Sequence, residues 1–262
     1  MNEIVAFGKM LWGLIVFLEA GLLALLLYRK NHRKFPFFFT YVLIAFLQSV
    51  VLMVSYRLWA FSSSNAVRIG WGTQGIVILG RMLAVAEICR RVLGRYRGIW
   101  ALAWRMLVGS AVLVLLYALA IAGFEWQLLA LNADRGLELT ITVVLVMLFL
   151  FAHYYELAMD PAVRSLAIGF FLYSCFAVLN DTILESWKYR YAPLWNLVGM
   201  LAYLASLLLW NWAVRKKQPE FTLEPALLSQ CVYQALAPEI NLRLKLLNEH
   251  LNRILCPEAR RP

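Results

Sequence analysis

The chain has 262 residues, of which 63% are hydrophobic and only 15% are charged. A soluble domain is typically about half apolar and roughly a quarter charged, so this composition excludes an ordinary water-soluble globular protein. The formal net charge of +10 is not a nucleic-acid signature, because the basic residues stand in short blocks between apolar runs, as they do in membrane proteins.

Crossing a bilayer takes roughly 20 apolar residues, and seven stretches of the sequence meet that length. They lie at residues 5–28, 37–60, 70–90, 99–123, 137–158, 164–186 and 194–214. The first run is too long for the apolar region of a signal peptide, so it is interpreted as a membrane span. The third is the least apolar, since it contains Gln74, Arg81 and Glu87. Short connections are predicted between the spans, including Asp134–Gly136 and Asp160–Pro161.

The predicted fold is therefore an all-α, polytopic membrane bundle of seven transmembrane helices in residues 1–217, followed by a helical tail in residues 218–262. Its basic residues predict its orientation, because the richer side is cytosolic. One side carries Arg29, Lys30, Arg33, Lys34, Arg90, Arg91, Arg95, Arg97, Arg164, Arg215, Lys216 and Lys217. The other carries Lys9, Arg57, Arg68, Arg135, Lys188 and Arg190. We expect a multi-pass protein with the N-terminus outside and the C-terminus inside.

The tail is predicted to be amphipathic. Apolar residues recur at helical spacing, at Leu242, Leu246, Leu247, Leu251, Ile254 and Leu255. An apolar stripe of this kind must be covered. The surface that covers it is one of four alternatives: the inner membrane surface, the underside of the bundle, a second copy of the chain, or a separate protein bound through residues 238–255.

Two ionisable residues stand inside predicted spans at matching depth. Glu19 precedes Arg29 by ten residues, and Arg81 precedes Arg90 by nine. At about 1.5 Å per residue, both lie roughly 13–15 Å from the inner edge of the membrane. Because charges are costly in a bilayer, an ion pair between Glu19 and Arg81 is predicted. It is either a structural lock or a polar-ligand or proton site.

A second polar group is predicted near the outer surface. Asp181 and Glu185 share one face of the sixth span at i,i+4 spacing. The cluster comprises Arg57, Gln74, Glu138, Asp181, Glu185 and Asn196, with a polar and small stripe on the seventh span at Asn196, Gly199, Tyr203, Ser206 and Trp210. These residues line an outward-facing cavity, or they serve as ordinary helix-packing residues.

His153 and Glu156 are predicted at the inner end of the fifth span, at the level of the lipid headgroups. The tyrosines between them are expected there as interfacial residues. Because histidine titrates near neutral pH, a pH-sensing role for His153 is one interpretation.

The sequence lacks the residues that several classes of membrane protein require. Retinal needs a lysine inside the bundle, and no predicted span contains one in its interior. A single intramembrane histidine, His153, excludes bis-histidine haem, and no metal-ligand spacing is present. Gly70–Gly75 matches a dinucleotide fingerprint but lacks the required strand. No catalytic, cofactor-binding or metal-binding residues are predicted, which disfavours an enzyme.

Four segments together resemble a known type of protein. These are Arg33–Tyr41, Glu87–Leu93, Leu194–Asn196 and the turn Trp210–Trp212. Over about residues 5–217 the chain resembles uncharacterised bacterial seven-helix integral membrane proteins. The resemblance implies a fold type and a bacterial inner membrane, and it implies no activity.

Two hypotheses for function follow from these features. The first is a non-enzymatic sensor, scaffold or accessory subunit that acts on a partner through its cytosolic tail. The second is a small-solute or lipid carrier with a polar site around Glu19 and Arg81. The tail and the lack of catalytic residues favour the first, whereas the intramembrane charges favour the second.

Overall fold

A computed structural model describes residues 2–59, 63–94, 97–122, 126–157, 159–186 and 192–215, together with eight residues between 238 and 249. Some helical residues, among them 181–186 and 192–196, are described by their backbone alone. The described residues are helical and contain no strand, so the all-α prediction is confirmed for them.

Eight helices follow one another in the described ranges. They are α1 (Asn2–Tyr28), the short α2 (Asn31–Lys34), α3 (Pro36–Leu58), α4 (Ser64–Leu93), α5 (Arg97–Ala122), α6 (Trp126–Tyr154), α7 (Pro161–Ser186) and α8 (Ala192–Arg215). In this part of the chain, six of them contain a stretch long and apolar enough to cross a membrane. These stretches are Phe7–Tyr28, Pro36–Leu58, Gly98–Ala120, Asn132–Tyr154, Pro161–Asn180 and Leu197–Arg215. The fold is that of a multi-pass membrane protein.

Helix α4 is not among the six, although its 30 residues would extend about 45 Å. It packs against α3, α5, α6 and α7 and buries much of its surface, including Arg81 and Glu87. A helix surrounded by other helices exposes only a narrow face, here Ile76, Leu79 and Leu83. Its sequence therefore does not need to be apolar on all sides.

Polar groups and proline explain where several helices begin. The Ser63 hydroxyl accepts a hydrogen bond from the Ala66 N–H at 3.2 Å and caps α4. Asp160 accepts one from the Ala162 N–H at 3.0 Å, and Pro161 opens α7. The prediction that Pro161 lies in a connection is thus wrong, because a proline at the first helical position loses no hydrogen bond.

The predicted connection at Asp134–Gly136 is also wrong, because these residues lie inside α6. The turn-forming residue types suggested a loop, but Asp134 is held within the bundle by the side-chain amide of Gln74. Helix α6 ends at Tyr154, and Glu156 follows with a left-handed backbone at φ 48°. The Glu156 N–H donates to the His153 carbonyl at 3.2 Å, and the Leu157 N–H to the Ala152 carbonyl at 2.9 Å.

The ends of the helices lie at two levels, one at each end of the bundle. The N–H groups of Phe37 and Phe38, at the start of α3, donate to the Glu87 carboxylate near the end of α4. The guanidinium of Arg91 lies 4.2 Å from the centroid of the Phe35 ring. We call this level, with α2 and Arg29, Lys30, Arg33, Lys34, Arg90 and Arg91, the basic end. The far end is the opposite level, where α1, α4, α6 and α8 begin.

An aromatic cluster closes the half of the bundle nearer the basic end. It consists of Phe38, Tyr41, Phe170 and Trp210, each at most 1% exposed. The ring centroids of Phe170 and Trp210 are 4.7 Å apart, and those of Phe38 and Trp210 are 5.5 Å apart. The Trp210 indole N–H donates to the Leu166 carbonyl at 3.2 Å, and the Ser206 hydroxyl donates to the Gly169 carbonyl at 2.9 Å.

The chain divides into two compact units, Met1–Lys217 and Gln218–Pro262. In the second unit, the described residues are helical and exposed, including Leu242 and Leu246. Arg243 donates to Glu239 at 2.7 Å, one turn away. The rest of the predicted amphipathic segment 238–255 lies outside the described residues.

Candidate functional site

A cavity of about 460 Å³ lies inside the bundle, toward the far end. It is bordered by α1, α3, α4, α6, α7 and α8. Its lining is polar and aromatic to an unusual degree for a membrane bundle: Trp12, Ile15, Ser49, Gln74, Asp134, Glu138, Tyr173, Ala177, Asn180, Gly199, Met200 and Tyr203. Because polar groups within a bilayer are costly and mark functional sites, this cavity is the candidate site.

One wall of the cavity contains a buried ion pair between Arg81 of α4 and Glu138 of α6. Both side chains are only 2% exposed. The Arg81 guanidinium also lies over two aromatic rings, 4.2 Å from the centroid of Tyr173 and 5.6 Å from that of Tyr41. These contacts compensate a charge that would otherwise be expensive to bury.

A chain of amide hydrogen bonds extends along the same wall. Gln48 of α3 donates to the Gln74 side-chain oxygen at 3.1 Å, and Gln74 donates to Asp134 at 3.4 Å. Asp134 and Glu138 are one helical turn apart on α6, so both carboxylates face α4. Two acidic groups therefore share the neighbourhood of one guanidinium.

The opposite side of the cavity contains Glu19 of α1, which is 1% exposed. The Tyr203 hydroxyl of α8 donates to the Glu19 carboxylate at 2.7 Å. The Tyr203 ring in turn packs against that of Tyr173, with 5.2 Å between centroids. Ser49 of α3 lies beside the same carboxylate.

The predicted partnership of Glu19 with Arg81 is therefore replaced by two separate pairs, Arg81 with Glu138 and Glu19 with Tyr203. Equal depth in the membrane decides height along the bundle but not which helices are neighbours. Helix α4 packs against α6, whereas α1 packs against α3 and α8. Both residues are buried, and their partners Glu138 and Tyr203 line the cavity.

The predicted outer cluster is partly assembled here. Gln74 and Glu138 line the cavity, together with Gly199 and Tyr203 of the predicted stripe. Arg57 is exposed at the end of α3 and is not among the lining residues. The side chains of Asp181, Glu185 and Asn196 lie outside the described residues.

Sequence reasoning missed five polar or aromatic residues of the cavity lining, which are Trp12, Ser49, Asp134, Tyr173 and Asn180. Asp134 could have been found from its i,i+4 spacing to Glu138. It was assigned to a turn because aspartate and glycine close together usually mark one. The other four carry no individual signal, since serine and aromatic residues are common throughout membrane helices.

His153 and Glu156 lie at the basic end, away from the cavity, and both are exposed. The contribution of Glu156 that the structure shows is backbone geometry at the end of α6. Neither residue meets the lining of the cavity.

The arrangement can hold a small polar molecule by hydrogen bonds and charge. Two carboxylates of the lining, Asp134 and Glu138, lie near the Arg81 guanidinium. Glu19 is bonded to the lining residue Tyr203, and Trp12 and Tyr173 offer aromatic surface. In the part of the chain that the structure describes, no group of three or more His, Cys, Asp or Glu residues is arranged to hold a metal ion.

Comparison with known proteins adds no relative from which a function could be transferred. No known protein family, curated protein or solved structure matches the chain. The site is therefore interpreted from its own residues.

Proposed function

We propose that this protein is a non-enzymatic membrane sensor that binds a small polar molecule in its far-end cavity and acts through its tail. The single observation that carries the proposal is the polar cavity itself. Carboxyl groups, a guanidinium and amides line or border about 460 Å³ inside a bundle whose other buried side chains are mainly apolar. Such groups are retained in a membrane interior chiefly where they bind something.

The aromatic cluster supports binding rather than free passage. Phe38, Tyr41, Phe170 and Trp210 fill the bundle on the basic side of the cavity. A ligand that enters from the far end meets a packed barrier. Its arrival changes the contacts of Tyr203 and Tyr173, which adjoin that barrier, and this provides a physical route for a signal.

The proposal includes seven spans, with α4 as the third, an outer N-terminus and a cytosolic C-terminus in a bacterial inner membrane. The basic residues at one end of the bundle support this orientation. The length of α4 and its central position support its role as a span. The resemblance to bacterial seven-helix proteins belongs to the same proposal.

Output through the tail is supported by its exposed apolar residues. Leu242 and Leu246 lie one turn apart and are 59% and 57% exposed. A helix with such a face gains free energy when another surface covers it. We propose that a partner protein, or a second copy of the chain, does so when the cavity is occupied.

The ligand site is tested by filling the cavity. Ala177 lines it, so Ala177→Phe should occupy space that a ligand needs. Leu179→Phe is the matched control, because Leu179 is on the same helix and 53% exposed. We expect native mass spectrometry of gently released wild-type protein and of the control to detect a bound small molecule, and Ala177→Phe to lose most of it. Equal retention by all three chains would remove the basis of the proposal.

A small-solute or lipid carrier is the second candidate function, and the position of Glu19 and Arg81 favours it. Both are buried charged residues, and each is bonded to a residue that lines the cavity, Arg81 to Glu138 and Glu19 to Tyr203. Reconstitution separates the two functions. A carrier accumulates the molecule identified by mass spectrometry inside vesicles, and Leu242→Glu with Leu246→Glu leaves this uptake unchanged. A sensor shows no accumulation.

A further inference from the structure

We propose that a groove between α3, α4 and α5 at the basic end binds one anionic phospholipid. This basic-end groove has a volume of about 440 Å³. Its lining residues are Phe37, Leu83, Ala86, Glu87, Arg90, Gly94, Trp100 and Trp104. It lies at the opposite end of the bundle from the polar cavity, and the inference does not depend on the proposed sensor.

The groove exists because α5 is packed loosely. Only 6% of the most apolar stretch of α5 is buried inside the protein, whereas 22–44% of the corresponding stretch is buried in the other five apolar helices. Helix α5 packs against α6 and, less closely, against α4. The gap that remains beside α4 is apolar and open to whatever surrounds the bundle, so an acyl chain can fill it.

The walls change from apolar to cationic along the groove. On α4, Leu83 and Ala86 lie deeper, and Arg90 and Gly94 lie nearer the basic end. The helix from Leu83 to Gly94 extends roughly 16 Å, about the depth of one leaflet. This order matches a phospholipid, whose chains lie deep and whose phosphate lies at the surface.

The groove contains one carboxylate, that of Glu87, but contacts with the protein already occupy it. The Glu87 carboxylate accepts the N–H groups of Phe37 and Phe38 at 3.1 and 3.0 Å and lies 3.5 Å from Arg91. Among the residues that the structure describes, no carboxylate lies within ion-pair distance of Arg90. Its exposed guanidinium is therefore available to a phosphate, which arginine binds well.

Helix α5 contributes an aromatic pair to the groove. Arg105 of the same helix is exposed and has no ion pair within the described part of the chain, but it is not among the residues that line the groove. The rings of Trp100 and Trp104 are 5.9 Å apart, and tryptophan is enriched at the level of lipid headgroups.

The charge of the basic end favours an anionic lipid, rather than a second copy of the chain, as the occupant of the groove. The basic end carries six basic residues on α2, on α4 and in the connection between α1 and α2, so two copies meeting here would oppose like charges. A phosphodiester is complementary to the same surface. Its headgroup charge and its chains together use both parts of the groove, which a free phosphate would not.

The test is a lipid titration of the full-length protein by native mass spectrometry, with phosphatidylglycerol and phosphatidylcholine of identical acyl chains. We expect the wild-type protein to bind its first phosphatidylglycerol roughly tenfold more tightly than phosphatidylcholine, as one charge-assisted contact allows. Arg90→Gln should lose that preference, and Ala86→Trp should weaken binding of both lipids by filling the groove. Arg29→Gln is the control, because Arg29 is exposed at the same end outside the groove.

Three results would overturn the inference. The first is equal binding of both lipids by the wild-type protein. The second is an Arg90→Gln variant with the same lipid preference as Arg29→Gln. The third is a dimer that excludes lipid and is broken by Ala86→Trp. If Arg90→Gln does not fold, Leu83→Trp replaces it in the same titration, because Leu83 lines the groove and is partly exposed. This variant should weaken binding of both lipids, and unchanged binding would overturn the inference.

Discussion

At the scale of single residues, the largest energetic consequence belongs to the pair of Arg81 and Glu138. Each side chain is only 2% exposed, so neither charge can reach water when its partner is removed. A buried pair of this kind is expensive to break from one side, whereas replacing both members by neutral groups is often tolerated. The same pair adjoins the candidate ligand site, which makes it a probe of both stability and function.

We expect Arg81→Met to lower the free energy of unfolding by about 3–5 kcal/mol, because Glu138 is left buried without its cation. The double variant with Glu138→Gln should recover most of that loss, which the coupling in a double-mutant cycle would measure. Unfolding in mixed detergent micelles gives the free energies. Arg57→Met is the control, since Arg57 is exposed at the end of α3.

Additive losses from the two substitutions would contradict the pairing. The double variant also separates the two interpretations of these charges. A stable double variant that has lost its bound small molecule indicates a ligand site. One that retains the molecule indicates a structural lock.

At the scale of elements, the contact between α7 and α8 depends on a glycine. A Cβ added at Gly169 would overlap the indole of Trp210, whose N–H donates to Leu166 one turn earlier. The absence of a side chain lets the two helices approach closely enough for the Ser206 hydroxyl to reach the Gly169 carbonyl. The same approach positions Trp210 within the aromatic cluster.

Gly169→Ala is therefore expected to destabilise the protein by about 1–3 kcal/mol through overpacking, reduced somewhat by the higher helix propensity of alanine. Gly21→Ala is the matched control, because a Cβ there has no neighbour within 4 Å. The control should be neutral or more stable by up to about 1 kcal/mol. Thermal unfolding in detergent compares the two, and equal midpoints would show that α7 and α8 separate without cost.

At the scale of the whole molecule, the open question is whether α4 crosses the membrane. Six helices are apolar enough by themselves in the described part of the chain, and α4 is not. Its position among α3, α5, α6 and α7 supplies the partners that its polar residues need. If it spans, the residues on either side of it lie in different compartments.

Single cysteines test this in a chain whose four native cysteines are replaced. Asn65 is exposed near the start of α4, and Gly98 is exposed just after the start of α5. We expect a membrane-impermeant maleimide to label Asn65→Cys in intact cells, and Gly98→Cys only after permeabilisation. Lys34→Cys, at the basic end, should behave like Gly98→Cys. Labelling of Asn65→Cys and Gly98→Cys from the same side would exclude a spanning α4.

The sequence by itself determined the helical class, the membrane character and the approximate bounds of the apolar helices. The stretch predicted at 37–60, for example, is the helix Pro36–Leu58. These properties could be predicted because each apolar segment satisfies its backbone internally and meets the bilayer alone, so its length and composition decide the outcome. The hydrogen bond between Asp134 and Gln74 could not be predicted, since the two residues are distant in sequence.

Only the tertiary structure decided which helices are neighbours. Glu19 and Arg81 stand at similar depth, yet packing gives Arg81 to Glu138 and Glu19 to Tyr203. It also created the two spaces on which the proposals rest, the polar cavity and the basic-end groove. The physical reason is that lateral packing depends on local shape, such as Gly169 against Trp210, whereas hydropathy and charge specify only how deep each residue lies.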